Sequence, residues 1–123
     1  MVEQKFEKEG RVKEIFIERC VLANLDHPAI IKLYDSFKHR AKFCLLVEYC
    51  KRGSLLELQK REGRLKNELA SHFTAEIVVA LQYLRLRGIV HRDLKPGNIV
   101  LSHDYHIKLI DFATCKILEN PSL

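Results

Sequence analysis

The sequence predicts an α+β fold. Three observations carry that expectation: a helix-spaced run over Arg11–Leu25, two strand-like runs flanking Lys38–Ala41, and a longer helical run over Asn67–Arg87. In the first run Val12, Ile15, Phe16, Arg19, Leu22 and Leu25 share one face. His27-Pro28 ends it, because the residue before proline is pushed out of the α region. Ile30–Phe37 and Lys42–Tyr49 are rich in β-branched and aromatic residues and read as a hairpin. Gly53-Ser54 opens a short helix to about Lys60, with Ser54 as N-cap and Gly63 marking the turn out. Leu69, Phe73, Ile77, Ala80, Leu81 and Leu84 form the buried stripe of the long helix, and Gly88 stands at its C′ position. Asn98–Leu101 and His106–Ile110 read as short strands joined around His103-Asp104.

A chain of 123 residues, 47% hydrophobic and 30% charged, describes one small globular domain with a modest core. The net charge of +5 is spread over Lys38-His39-Arg40, Lys51-Arg52, Lys60-Arg61 and Arg85–Arg92. No aromatic interleaving or nucleic-acid module accompanies it, so nucleic acid is not an expected partner. No apolar run is long enough to span a bilayer, and Met1–Gly10 lacks the apolar core of a signal peptide. Cys20, Cys44, Cys50 and Cys115 are irregularly spaced, which favours reduced thiols and a cytoplasmic setting. His103 and His106 are spaced like some zinc ligands, but with no cysteine or carboxylate support evident, no metal site is expected at the histidines.

The chemistry concentrates in His91-Arg92-Asp93-Leu94-Lys95-Pro96-Gly97-Asn98 and in Asp111-Phe112-Ala113, one hairpin further on. A carboxylate to orient a hydroxyl, with an amide and a second carboxylate to hold magnesium, suits phosphoryl transfer. Here the chain resembles the protein kinases, and Lys95 two residues after Asp93 points to the serine/threonine branch. The resemblance runs from Arg11 to Leu118. It implies a partial kinase-like fold: the end of the N-lobe over residues 1–47, a hinge over 48–53 and the first part of the C-lobe over 54–123.

Each functional position then follows from the resemblance. Asp93 would accept the substrate hydroxyl's proton and Lys95 would neutralise charge on the transferred group. Asn98 and Asp111 would be the oxygen ligands of Mg²⁺. Val47 would stand at the gatekeeper position, the backbone of Glu48 and Cys50 would meet the adenine of ATP, and Val100 would lie beneath it. Glu18, nine residues before His27, would pair with a lysine on the third strand of the family's N-lobe. That lysine is not found: Gln4–Gly10 is too polar for a central strand, Lys5 and Lys8 do not fit, and Met1 is expected to fall after the strand. Arg92 would pair with a phosphate on an activation segment, leaving it with no partner here. Leu22, Leu33, His91 and Phe112 match the apolar stack that joins the lobes.

Phe73-Thr74-Ala75-Glu76-Ile77-Val78, Leu25-Asp26-His27-Pro28 and Asp111-Phe112-Ala113-Thr114-Cys115-Lys116 are similar to the 3-phosphoinositide-dependent protein kinases. This implies protein substrates that are themselves kinases, docked through a phosphorylated hydrophobic tail in a groove near Arg19, Ser36, Lys38 and Phe43. Ala113 replaces the usual glycine, which is expected to bias how Phe112 swings. With no glycine-rich loop and no strand lysine, the isolated chain is expected to have little or no activity. The alternative is a non-catalytic kinase-like binding module or truncated competitor.

Overall fold

The computed structural model describes residues 2–5 and 11–119. Its elements are β1 (Val2–Lys5), α1 (Val12–Ala23), β2 (Leu33–His39), β3 (Lys42–Val47), α2 (Leu55–Glu62), α3 (Asn67–Leu86), β4 (Ile89–Val90), β5 (Ile99–Leu101), β6 (Ile107–Leu109) and β7 (Lys116–Ile117). The strands form an antiparallel sheet in the order β1-β3-β2 and two small pairs, β4-β7 and β5-β6. The α+β expectation holds. Among the described residues no helix is long and apolar enough to cross a membrane.

The first sheet corrects the reading of the N-terminus. Val2–Lys5 is a strand, running from Val2 opposite Val47 to Lys5 opposite Cys44. A polar segment can occupy this place because it is a sheet edge among the described residues, joined to β3 by main-chain pairing. Met1 and Lys8 lie outside the described residues. The predicted strand from Ile30 is also shortened: β2 starts at Leu33, whereas Ile30 bridges in parallel to Leu109. Ile31 N–H donates to the Leu109 carbonyl at 3.0 Å and Leu109 N–H to Ala29 at 2.8 Å.

The hairpin turn is tighter than Lys38–Ala41. His39 pairs with Lys42, leaving Arg40 and Ala41 as a two-residue turn with φ of 45° and 62°. Two consecutive left-handed residues suit Asn-Gly far better than Arg-Ala. Replacing Arg40-Ala41 with Asn-Gly is therefore expected to stabilise the chain by about 1–2 kcal/mol. A urea midpoint that stays unchanged or falls would contradict that turn geometry.

Helix α2 begins as expected at Ser54. Its hydroxyl accepts the Glu57 N–H at 3.2 Å, and Glu57 returns a carboxylate oxygen to the Ser54 N–H at 2.7 Å. This reciprocal cap contributes about 1 kcal/mol. Gly53 is required beside it, because φ is +71° and a Cβ would lie 2.2 Å from Glu57 Oε2.

Helix α1 turns a different face inward than its apolar spacing suggested. Ile15, Glu18, Val21 and Leu22 are buried, whereas Phe16 is 45% exposed with its ring against Phe43. The α1–β2 loop docks on α3, where the Tyr83 hydroxyl accepts the Asp26 N–H at 2.8 Å and the His27 ring lies 4.7 Å from the Tyr83 ring. On α3, Phe73, Ala80 and Leu84 are fully buried, and Leu69, Ile77 and Leu81 pack against the core. Val78, Val79 and Leu86 on the same helix are exposed.

Candidate active site

The loop before β5 is held from both sides. His91 is 3% exposed; its Nδ1 accepts the Asp93 N–H at 3.2 Å and its Nε2 faces the Ile110 carbonyl at 2.8 Å. Those partners place the ring proton on Nε2. A 3-10 turn over Pro96–Asn98 follows, and the chain then enters β5. Proline at the turn's first position suits it, since no N–H is needed there.

Asp93, Lys95 and Asn98 converge. Asn98 Nδ2 donates to the Asp93 main-chain oxygen and to Asp93 Oδ2, both at 3.0 Å. Lys95 Nζ lies 3.3 Å from the same Oδ2. With its amide nitrogen engaged, Asn98 keeps its side-chain oxygen for another partner. Asp111 is brought close through the β5–β6 pair, because Ile99 opposes Leu109 and Ile110 N–H donates to the Asn98 carbonyl at 3.0 Å. An amide oxygen and a carboxylate are the hard donors that Mg²⁺ takes, so these residues fit that ion.

Asp111 sits at φ +62°, a left-handed bend that aspartate tolerates better than most side chains. The non-glycine residues at positive φ are Arg40, Ala41, Arg92, Tyr105 and Asp111, so Ala113 adopts an ordinary backbone without strain among the described residues. Phe112 is completely buried, its ring 4.9 Å from His91. Leu22 belongs to the same core and Leu33 packs against it. Arg92 does have a partner: Nε donates to the Thr114 carbonyl at 2.6 Å. Sequence reasoning left it unpaired because this contact spans 22 residues and involves a main-chain group.

Glu18 reaches the same place from α1. Oε1 accepts the Phe112 N–H at 3.2 Å, while Oε2 is buried with no hydrogen-bond partner among the described residues. Burial pushes its carboxyl up to about 7; the Phe112 N–H opposes this, and the Asp111 charge adds to it. The orphaned oxygen is what a cation would answer. β1 is the strand nearest in order, and Lys5 closes it opposite Cys44. In the folded chain the carboxyl holds its proton to higher pH than in the unfolded chain. The folded state thus binds more protons between pH about 4.5 and 7, and stability falls as pH rises through that window. The loss approaches about 3 kcal/mol. Glu18→Gln should flatten this slope in urea unfolding at pH 5 and 8; an unchanged slope would show that Glu18 is not its source.

The segment from Val47 to Ser54 lies beside these loops. Val47 ends β3 and is buried, opposite both Leu33 and Val2. The Glu48 carboxylate is held on two sides: Oε1 is 3.0 Å from Lys108 Nζ, and Oε2 accepts the Lys32 main-chain N–H at 3.3 Å. Cys50 is buried, and desolvation, reinforced by Glu48, pushes its thiol up to about 11. Arg52 N–H donates to Leu101 at 3.2 Å and Leu101 N–H to Gly53 at 2.9 Å, with Ser54 bridged to Val100. Residues 52–54, just after Cys50, are thereby tied to β5, the strand that follows Asn98 and contains Val100.

A groove separate from the Asp93–Asn98 loop, about 320 Å³ in volume, lies between α1 and the β2–β3 hairpin. Arg19, Ser36, Lys38 and Phe43 all line it. Arg19 Nε donates to Ser36 Oγ at 2.6 Å, and Lys38 Nζ stands 5.7 Å over the Phe43 ring.

Comparison with known proteins agrees with this geometry. A profile of the protein kinase domain matches residues 1–123. The chain is 44% identical over 115 residues to human 3-phosphoinositide-dependent protein kinase 1, covering 94% of this chain and 21% of that protein. It is 39% identical over 124 residues to the Arabidopsis thaliana protein of the same name, covering 100% of this chain and 25% of that one. With the Dictyostelium discoideum 3-phosphoinositide-dependent protein kinase B it shares 40% over 111 residues, 12% of that protein. The chain thus spans a quarter or less of these relatives. From the profile match and the Asp93–Asn98–Asp111 arrangement together, the chain belongs to the protein kinase domain family.

Proposed function

We propose that this chain is the central part of a serine/threonine protein kinase that transfers the γ-phosphoryl group of ATP to protein hydroxyls, its substrates being other kinases. The observation that carries the reading is the clasp of Asp93 by Asn98 and Lys95, one main-chain hydrogen bond from the residue before Asp111. Residues 1–47 contribute to the N-lobe, 48–53 form the hinge and 54–123 begin the C-lobe. A cytoplasmic setting belongs to the same reading.

Asp93 orients the substrate hydroxyl and takes its proton, and Lys95 screens the charge that builds on the transferred group. When bound, Mg²⁺ neutralises phosphate charge; Asn98 and Asp111 are the residues that would hold it. Val47, the main chain of Glu48 and Cys50, and Val100 enclose the adenine. Glu18 supplies the carboxylate for the phosphate-positioning lysine. The groove at Arg19, Ser36, Lys38 and Phe43 receives a phosphorylated hydrophobic tail: Arg19 and Lys38 face its phosphate and Phe43 an aromatic side chain.

The test is phosphate transfer by the full-length protein to a peptide from a kinase activation segment. Transfer to serine or threonine is expected, lost on chelating Mg²⁺. In parallel, Arg19→Ala should weaken binding of a phosphorylated tail peptide. No transfer despite bound ATP and Mg²⁺ would defeat the catalytic reading. If tail binding persisted, the non-catalytic module would take its place.

A further inference from the structure

We propose that His72, Glu76 and His106 form a binding site for one divalent transition-metal ion of the zinc class, between α3 and the β5–β6 turn. One donor atom from each residue, drawn from two imidazoles and a carboxylate, lies within 4.8 Å of the other two. His72 and Glu76 are one helical turn apart and so share a face of α3. His72 Nε2 is 3.5 Å and His106 Nδ1 2.5 Å from the same oxygen, Glu76 Oε1. The two imidazole rings are 5.6 Å apart. A tetrahedral ion with bonds of about 2.0–2.2 Å needs donors roughly 3.3–3.5 Å apart, a spacing within this range and reached by small rotamer changes. Two imidazoles and a carboxylate suit zinc and its neighbours rather than magnesium or calcium.

The surroundings orient the donors as metal sites require. Glu76 Oε2 accepts the Ile107 N–H at 2.8 Å, which directs Oε1 toward the imidazoles. His106 Nε2 faces Asp104 Oδ2 at 3.7 Å, and Asp104 is itself held by the Ser102 hydroxyl at 2.5 Å. At that distance the Asp104 carboxylate acts on the ring through its charge, which favours a cation bound at the opposite nitrogen. The Tyr105 carbonyl lies 3.1 Å from His72 Nε2 and accepts from it when Nε2 carries the ring proton; for Nε2 to ligate a metal, that proton moves to Nδ1 and the hydrogen bond is given up.

A His106–Glu76 ion pair accounts for two of the three residues; His72, one helical turn before Glu76, brings a third donor atom to the same oxygen. In the metal-free chain Glu76 and His106 are joined directly by hydrogen bond and opposite charge. Imidazole ligates only without its proton at the donor nitrogen, so a metal binds more weakly in acid. The site is reachable, with His72 and His106 side chains 42% and 54% exposed. Three protein ligands leave a fourth position for water, beside a cavity of about 310 Å³ lined by Pro28, Ala75 and Val79.

The experiment is calorimetric titration of the metal-free full chain with Zn²⁺, paired with Co²⁺ absorption spectra and circular dichroism of each variant. One ion per chain is expected, with Co²⁺ bands free of thiolate charge-transfer absorption. Affinity should drop at least about tenfold in His72→Ala and in Glu76→Gln and stay unchanged in His39→Ala. His72 is on the surface and Glu76→Gln keeps an oxygen for Ile107, so both variants should remain helical. Absence of saturable binding, full affinity in either site variant, equal loss in His39→Ala, or a thiolate band would overturn the proposal.

Discussion

Asp93→Asn is expected to lower phosphotransfer by the full-length protein about 10²–10⁴-fold while leaving nucleotide affinity nearly unchanged. The substitution keeps an oxygen that can accept from Asn98 Nδ2, now at 3.0 Å, so the loop stays in place. It removes the charge opposite Lys95 Nζ, 3.3 Å away, and with it the group able to take a proton. Single-turnover rates and ATP affinity measured on one preparation separate the two effects. A rate within a factor of about three of the parent would remove Asp93 from the chemistry.

Phe112→Ala is expected to destabilise the chain by about 3–5 kcal/mol. Its ring is fully buried, contacts His91, and belongs to the one core cluster that unites α1, the first sheet and the β5–β6 pair. The cavity would open beside Glu18, already a buried carboxylate with one unpartnered oxygen among the described residues. Phe112→Leu refills much of the volume and should cost less. Urea unfolding of the three proteins checks the order; a loss below about 1 kcal/mol in Phe112→Ala would mean that the site collapses around the vacancy.

The legible parts of this fold were those set by local chemistry. Proline after His27, the Ser54 cap with Glu57 behind it, and Gly88 after the long helix each fix a backbone conformation through neighbours in sequence. The Asp93–Asn98 clasp was legible for the same reason, since both residues lie on one short loop. Less legible was the inward face of α1. Apolar spacing placed Phe16 with Leu22, but Glu18 is buried while Phe16 rims a groove. Periodicity defines a face without saying what covers it.

The sequence by itself determined the helices, the β2–β3 and β5–β6 hairpins and the Asp93–Asn98 loop, because short-range sterics, capping and spacing suffice for these. Tertiary structure alone decided the pairing of Val2–Lys5 along β3, the Ile30–Leu109 bridge, the Arg92–Thr114 contact and the meeting of His72 and Glu76 with His106. Each of these joins groups far apart in the chain through main-chain hydrogen bonds or side-chain geometry. Such contacts have no local signature, and form only when packing of the core brings the segments together.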